Sequence, residues 1–258
     1  MNKKKVVLNR AIFSARPLDS SALTVLATLI HRFPEPGSFE LLIRRNDKIV
    51  HRAPVRVVKA DATYQIDVNM TALDDGGDDC CSGEKSEYVL NAGGGMTFHA
   101  TQGLSAYSVS IAQIDEREKR TLLDSREVIP AGDLFAVTLV RPGLYKVSAG
   151  DASAEIRVGM PKMGSGFRAD EATLVDVGRA GLRTKSSRIL AGQTIVFQMS
   201  VPGRIRVELT EPDKSTLPGD TRGKFTVQNP RAALKPAAPQ DAPKPKPPTR
   251  RGSQKRAK

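Results

Sequence analysis

Short apolar runs, rich in Val, Ile, Thr and Phe, alternate with polar positions along most of the chain and are interrupted by Gly and Pro. This is the pattern of strands that bury one face, and it predicts an all-β protein. The clearest hairpin covers residues 38–43 and 49–58, which flank a polar turn centred on Asn46 and Asp47. Pro54 in the returning strand indicates an edge or a bulge, because proline has no N–H to give to a neighbouring strand.

An internal repeat supports the β prediction. Ala131-Gly132 precedes one predicted strand, which Pro142-Gly143 follows after an offset of 11 residues (142−131). Ala191-Gly192 precedes a second strand, which Pro202-Gly203 follows at the same offset (202−191). In each unit the proline fixes φ and the glycine is expected to supply φ > 0, so that the pair turns one strand into the next. Weaker copies contribute another such pair, and the predicted structural turns are Pro36, Gly37, Pro142, Gly143, Pro202 and Gly203.

The first copy of the repeat carries a resemblance to known folds. Gly132-Asp133, followed by Pro142-Gly143-Leu144-Tyr145-Lys146-Val147, resembles the final hairpin of cupredoxin-like and bacterial immunoglobulin-like sandwiches. The resemblance implies a β-sandwich fold for each unit. Copper-binding cupredoxins place Cys, His and Met ligands just after this Tyr strand, whereas residues 148–151 here read Ser-Ala-Gly-Asp. The fold is therefore expected without the copper function.

Composition divides the chain into five segments. They are an N-terminal β-unit at 1–73, an acidic linker with Gly and Cys at 74–86, a second β-sandwich unit at 87–160, a third β-unit at 161–229, and a Pro/Lys/Arg-rich tail at 230–258. The predicted fold class is thus all-β, with two to three small β-sandwich units joined through Pro-Gly hairpins. Because each unit is small, it is expected to pack on its neighbours.

The net charge of +12 is concentrated at one end of the chain. Residues 231–258 hold nine Lys or Arg and one Asp, a charge of +8, which leaves +4 for the other 230 residues. This tail has no large apolar residue after Leu234, so it is expected to be disordered. It has no aromatic residue for base stacking, so binding to nucleic acid or another anionic surface is expected to be electrostatic. The predicted contacts are Lys244, Lys246, Arg250, Arg251, Lys255, Arg256 and Lys258.

Cys80 and Cys81 stand side by side in the acidic linker. Adjacent cysteines can form a vicinal disulfide, bind a soft metal or link two chains. The chain has no further cysteine to complete a zinc site, and the nearby Asp residues lack the spacing of an EF-hand loop. The sequence therefore predicts a solvated loop without a metal, and leaves open a redox or inter-chain role for the two thiols.

Motifs for catalysis are missing from the sequence. The only histidines are His31, His51 and His99, and none lies in an HExxH motif. Residues 164–166 (Gly-Ser-Gly) lack the frame of a nucleophile elbow, and residues 219–225 have the wrong glycine spacing for a phosphate loop. We therefore predict no catalytic residues and no cofactor, and a protein that is not an enzyme.

The apolar runs are also too short for a membrane span, which needs about 18–20 residues. The run at 22–30 is interpreted as a buried strand and not as a signal peptide, so the cytoplasm is the expected location, with the cell envelope as the alternative. Together these features predict a non-enzymatic structural or accessory subunit. It would bind a protein partner or larger assembly through its β-sandwich surfaces and an anionic surface through its tail. The alternatives are a nucleic-acid-associated protein, and an envelope protein with ligand-handling cupredoxin-like sandwiches; the sequence leaves open a homo-oligomer.

Overall fold

The computed structural model of the chain describes residues 16–59, 61–74, 87–115, 118–161, 172–184 and 188–213. Cys80 and Cys81 and the basic tail from residue 230 onward lie outside these ranges. All of the described residues belong to one compact unit, Met1–Leu217. Within them the structure has sixteen strands and one short helix.

The helix α1 (Met70–Asp74) follows the fifth strand. The strands, in chain order, are β1 (Leu18–Asp19), β2 (Ala27–Arg32), β3 (Gly37–Arg45), β4 (Lys48–Val58), β5 (Thr63–Asn69), β6 (Tyr88–His99), β7 (Tyr107–Ile114), β8 (Lys119–Asp124), β9 (Leu134–Thr138), β10 (Gly143–Ala149), β11 (Ala152–Gly159), β12 (Thr173–Gly178), β13 (Gly181–Thr184), β14 (Arg188–Leu190), β15 (Thr194–Met199) and β16 (Ile205–Pro212).

The alternation in the sequence sets which side of each strand is buried. In β3, Phe39, Leu41 and Ile43 face the core, and the residues between them do not. β3 and β4 form the hairpin expected from the sequence, and both turn residues, Asn46 and Asp47, have positive φ (45° and 69°). These angles match a two-residue hairpin turn, in which Asn and Asp are favoured.

The strands are arranged in two sheets. The smaller sheet has the order β1-β16-β10-β11-β14. The larger one has the order β13-β12-β15-β9-β2-β6-β4-β3-β7-β8, with β5 also paired to β6. Four pairings are parallel within the described residues: β4 with β6, β5 with β6, β11 with β14, and β12 with β15. Between two parallel strands, the connecting segment must cross back to the end of the sheet at which the first strand began. The whole arrangement is a β-solenoid-like coil of about four turns.

The described part of the chain is all-β, with 67% of its residues in strands, but the prediction of two to three β-sandwich units is wrong. The resemblance to cupredoxin-like and immunoglobulin-like sandwiches is wrong for the same reason. β2, from the first predicted unit, lies between β6 and β9 of the second, and β16 of the third lies between β1 and β10. Strands from all three segments thus share sheets and one core.

The two copies of the internal repeat place their strands side by side in the larger sheet. β9 and β15 are antiparallel neighbours, and Ala136 stands opposite Val196, its equivalent 60 positions later in the repeat (196−136). Gly132 and Gly192, which are also 60 positions apart, both have positive φ (92° and 95°). Each donates its N–H to a carbonyl on the other copy, at 2.7 and 2.8 Å. The two copies are therefore related by a local two-fold axis and are not successive domains.

Candidate functional site

A pocket of about 500 Å³ opens where the end of β2, the loop before β3, strand β8 and the turn before β9 come together. One wall is apolar and includes Phe33, Phe39 and Leu122. Its polar lining is His31 and Asp133 inside, with Arg32, Glu35, Gln113, Arg120 and Thr121 around them. A concave apolar site with a few polar groups is the usual form of a ligand pocket.

His31 and Asp133 form a buried pair in this pocket. The period of two in β2 turns Ala27, Leu29 and His31 toward the core, and Asp133 immediately precedes β9, the neighbour of β2. The His31 Nδ1 atom lies 2.7 Å from Asp133 Oδ2, and the two side chains are 6% and 3% exposed. The backbone N–H of Arg32 donates to the other carboxylate oxygen at 3.1 Å. An ionised carboxylate can only accept hydrogen bonds, so Nδ1 is the donor of this pair when Asp133 is ionised.

The second ring nitrogen of His31 is left without a partner. Nε2 is buried and makes no hydrogen bond to any of the described residues. The ring of Phe33 packs edge-on against the imidazole, with the ring centroids 4.7 Å apart. With Nδ1 donating to Asp133, the imidazole in its neutral form has a lone pair at Nε2, which can accept a hydrogen bond from a hydroxyl or an N–H group.

The charged groups at the mouth are exposed. Arg32 and Arg120 come from different elements, and Glu35 lies in the loop after β2. Among the described residues none of these three side chains forms an ion pair. Arg32 and Arg120 thus offer guanidinium groups to an anion, against the carboxylates of Glu35 at the mouth and Asp133 inside.

The opposite face of the larger sheet carries a second candidate surface. Leu174, Val196, Ala136 and Thr28 lie in register across β12, β15, β9 and β2, on the side away from the core. Leu174 is 63% exposed, and Val196 is half-buried. We call these four residues the outer row. A sheet that buries one face usually places polar residues on the solvated face, so the apolar side chains of Leu174 and Val196 there are unusual.

A groove of about 380 Å³ lies beside the outer row. Ile30 and Leu134 line it together with Tyr64 and the glycines of β6. A Cβ atom on Gly94 would lie 2.6 Å from the carbonyl oxygen of Tyr64, and one on Gly95 would lie 3.0 Å from that of His31. Only glycine fits at Gly94, so the floor of the groove is bare backbone.

The structure places the predicted turn residues apart from one another. Pro36 lines the pocket, and Gly37 begins β3. Gly143 begins β10 with φ 148°, whereas Gly203 is bridged to Ile129 and has no positive φ. Pro142 and Pro202 precede these two glycines.

The predicted tail contacts, Cys80 and Cys81 lie outside the described residues. Within the described ranges there is no group of three or more His, Cys, Asp or Glu that could hold a metal ion. The other two histidines lie outside the pocket. His51 is 3.4 Å from the hydroxyl of Tyr88, and burial lowers the pKa of His51. His99 lies 3.5 Å from Asp67.

Sequence reasoning missed His31 and Asp133 as a pair, because 102 positions separate them. A signal for His31 was present: it occupies a buried position in the alternation of β2, after Ala27 and Leu29. A polar residue in that phase must find a buried partner. Nothing in the local sequence identifies Asp133 as that partner, because the pairing of β2 with β9 is a property of the fold.

Comparison with known proteins adds no identification. No protein-family model matches the chain, and neither the curated proteins nor the solved structures contain a significant match. In the described part of the chain, no helix is long and apolar enough to cross a membrane.

Proposed function

We propose that the protein is a non-enzymatic accessory subunit, which binds a protein partner through its outer row and an anionic surface through its basic tail. The outer row is the observation that carries this proposal. Leu174 and Val196 place apolar side chains on the solvent side of a sheet whose other side already supplies the core. Leu174 is exposed and adjoins the half-buried apolar residues Val196 and Ala136, and contiguous apolar surface of this kind is typical of protein interaction sites.

The charge distribution supports the second half of the proposal. Residues 231–258 carry +8, and the remaining 230 residues carry +4. Clustered Lys and Arg side chains bind anionic surfaces with an affinity that falls as salt rises, because bound counterions are released. The tail is thus proposed as an electrostatic tether for the body, with the cytoplasm as the place where the assembly forms.

The proposal does not require catalysis. Nucleophilic catalysis by a His–Asp pair needs a hydroxyl or thiol hydrogen-bonded to the free ring nitrogen. In the described residues, His31 Nε2 has no such partner. This geometry favours binding as the role of the body.

The test is affinity purification of the tagged full-length protein from its native source. Leu174→Asp places a charge in the outer row, at a position exposed enough for the fold to tolerate it. Leu104→Asp is the matched control, since Leu104 is also exposed (58%) but lies outside the outer row. We expect the wild type and the control to recover the same partner, and Leu174→Asp to lose at least about nine-tenths of it.

The same purification also tests the tail, with a variant that lacks residues 231–258. Partners that disappear when residues 231–258 are deleted are assigned to the tail, and their release by nuclease identifies the anionic surface as nucleic acid. Equal recovery of the protein partner by Leu174→Asp and the wild type would refute the outer row as the interface. Purification of a lone, partner-free monomer would refute the accessory role.

A further inference from the structure

We infer that the pocket around His31 and Asp133 binds a small organic anion that carries a hydroxyl group. In this inference the hydroxyl donates to His31 Nε2, and the anionic group binds Arg32 and Arg120. The site uses neither the outer row nor the tail, so it is independent of the function proposed above.

The first support is the unpartnered Nε2 atom. Buried polar atoms in folded proteins almost always have a hydrogen-bond partner, and an exception calls for a specific cause. The bond from Nδ1 to Asp133 fixes the ring orientation and leaves Nε2 as an acceptor when the ring is neutral. A ligand hydroxyl supplies the missing donor. A metal ion fits less well, because the described residues offer no set of three or more His, Cys, Asp or Glu side chains to hold one.

The second support is the chemistry of the wall and the mouth. Phe39, Leu122 and Pro36 offer an apolar surface to the body of a ligand. Arg120 lines the mouth. Arg32 lines the pocket from the outward phase of β2 and also lines the groove beside Tyr64, and neither guanidinium group forms an ion pair with another described residue. Guanidinium groups match carboxylates in charge and in planar geometry. A volume of about 500 Å³ is sufficient for a ligand the size of an aromatic acid.

Binding requires a side-chain movement. Nε2 is closed to solvent, so a ligand reaches it only when a neighbouring group shifts. Phe33 is the ring that lies against the imidazole, and it also contacts Phe39, with centroids 5.1 Å apart. Phe33 is therefore the side chain that we expect to shift when a ligand binds, and side-chain rotations of this kind are common on binding.

The test compares two probes that differ by one hydroxyl group: para-hydroxybenzoate and benzoate. Each is titrated into the full-length protein by calorimetry. We expect para-hydroxybenzoate to bind about tenfold more tightly, which is the effect of one additional hydrogen bond in a buried site. Failure of both probes to bind at millimolar concentration would overturn the inference.

The variant His31→Asn distinguishes the roles of the two ring nitrogen atoms. The Asn side-chain N–H can take the place of Nδ1–H on Asp133, whereas nothing replaces Nε2. We expect the two probes to bind this variant equally, with the affinity for benzoate unchanged. His99→Asn is the matched control and should keep the tenfold preference. A preference that persists in His31→Asn would refute the role of Nε2.

Arg120→Gln tests the anionic end and is expected to weaken both probes several-fold, whereas Arg56→Gln, outside the pocket, should change neither. Unchanged binding by Arg120→Gln would show that Arg120 does not contact the ligand.

If His31→Asn does not fold, the ring ¹⁵N resonances of His31 in the wild type test the role of Nε2 directly. Para-hydroxybenzoate must shift the Nε2 resonance and benzoate must not; equal shifts would contradict the inference. Outer-row and tail variants should bind both probes normally, so this result and that of the proposed function can fail separately.

Discussion

Asp19 shows how one partly buried carboxylate ties the two ends of the described chain together. Its two oxygens accept hydrogen bonds from the guanidinium of Arg204, each at 2.9 Å, across 185 positions of sequence. Ser21 donates two more, from its backbone and its hydroxyl. Burial alone would raise the pKa of Asp19, but the bonds from Arg204 and Ser21 outweigh it and lower the pKa below its ordinary value of 3.8.

This pair predicts an acid-dependent contribution to stability. Because the pKa of Asp19 is lower in the folded state, the pair stabilises the protein above pH 3.8, and that contribution is lost as the pH falls through the folded-state value. Replacing Arg204 by Met should cost about 1 kcal/mol of unfolding free energy near neutral pH. The difference from wild type should shrink below pH 3.8. Urea denaturation across this pH range measures it.

Arg206→Met is the control for that prediction. Arg206 pairs with Glu208, and both side chains are about half exposed, so this pair should contribute little to stability at any pH. A loss in Arg204→Met that is the same above and below pH 3.8 would contradict the assigned linkage.

At the scale of elements, two identical Pro-Gly dipeptides have different structural roles. Gly143 begins β10, where a Cβ atom would lie 2.4 Å from the carbonyl oxygen of Glu211 in β16. A Cβ atom on Gly203 would meet only the flexible end of Met199, at 3.3 Å. The close approach of two backbones, and not the dipeptide itself, makes glycine obligatory at the first position.

Gly143→Ala should therefore be far more harmful than Gly203→Ala. We expect a loss of about 2 kcal/mol or more for Gly143→Ala, because the methyl group separates β10 from β16, and less than about 1 kcal/mol for Gly203→Ala. Thermal and urea denaturation of the two variants provide the comparison. Equal losses would mean that the close approach of β10 to β16 does not set the cost of a methyl group at Gly143.

Alternation predicts the strands themselves well but says little about their neighbours. The hairpin of β3 and β4 followed from the sequence because its two strands and its turn are local. The partners of β2 did not, because β6 and β9 are distant in the chain and the period of a strand specifies only which face is buried. The same limit explains why the repeat suggested successive sandwiches. Ala136 and Val196 face each other, and no local feature of either copy indicates that contact.

The candidate site follows the same division between local and distant contacts. His31 occupies a buried phase that the sequence shows, whereas its contact with Asp133 exists only because β2 and β9 are neighbours. The basic tail is the reverse case, since its charge is a property of composition alone. The basic tail can therefore be predicted from composition, whereas the contact between His31 and Asp133 requires the fold.

At the scale of the whole molecule, the described strands and the greatest concentration of positive charge lie in different parts of the chain. The described strands end at Pro212, and the basic residues of the tail begin at Arg231. Replacing the seven predicted contacts, Lys244 to Lys258, by Gln keeps the length of the chain and lowers its charge by 7. We expect this variant to elute from a heparin column at lower salt and to retain the melting temperature of the wild type.

A drop in melting temperature for that variant would show that the tail contributes to the stability of the folded body. Unchanged elution would show that the binding to heparin does not depend on these seven residues, and that the remaining charge of +5 (12−7) is sufficient.

The pairing of β1 with β16 also has a consequence for the order in which the protein can fold. β1 is only two residues long, and its sole strand partner in the described residues is near the other end of the described chain. During synthesis the first strands emerge long before β16 does, so the smaller sheet cannot be completed at that stage. Until β16 emerges, the edge of β10 with which it pairs stays exposed. Contacts this distant in sequence slow folding and lengthen the exposure of strand edges. A nascent chain stalled before Ile205 is thus the species most exposed to aggregation and to capture by chaperones.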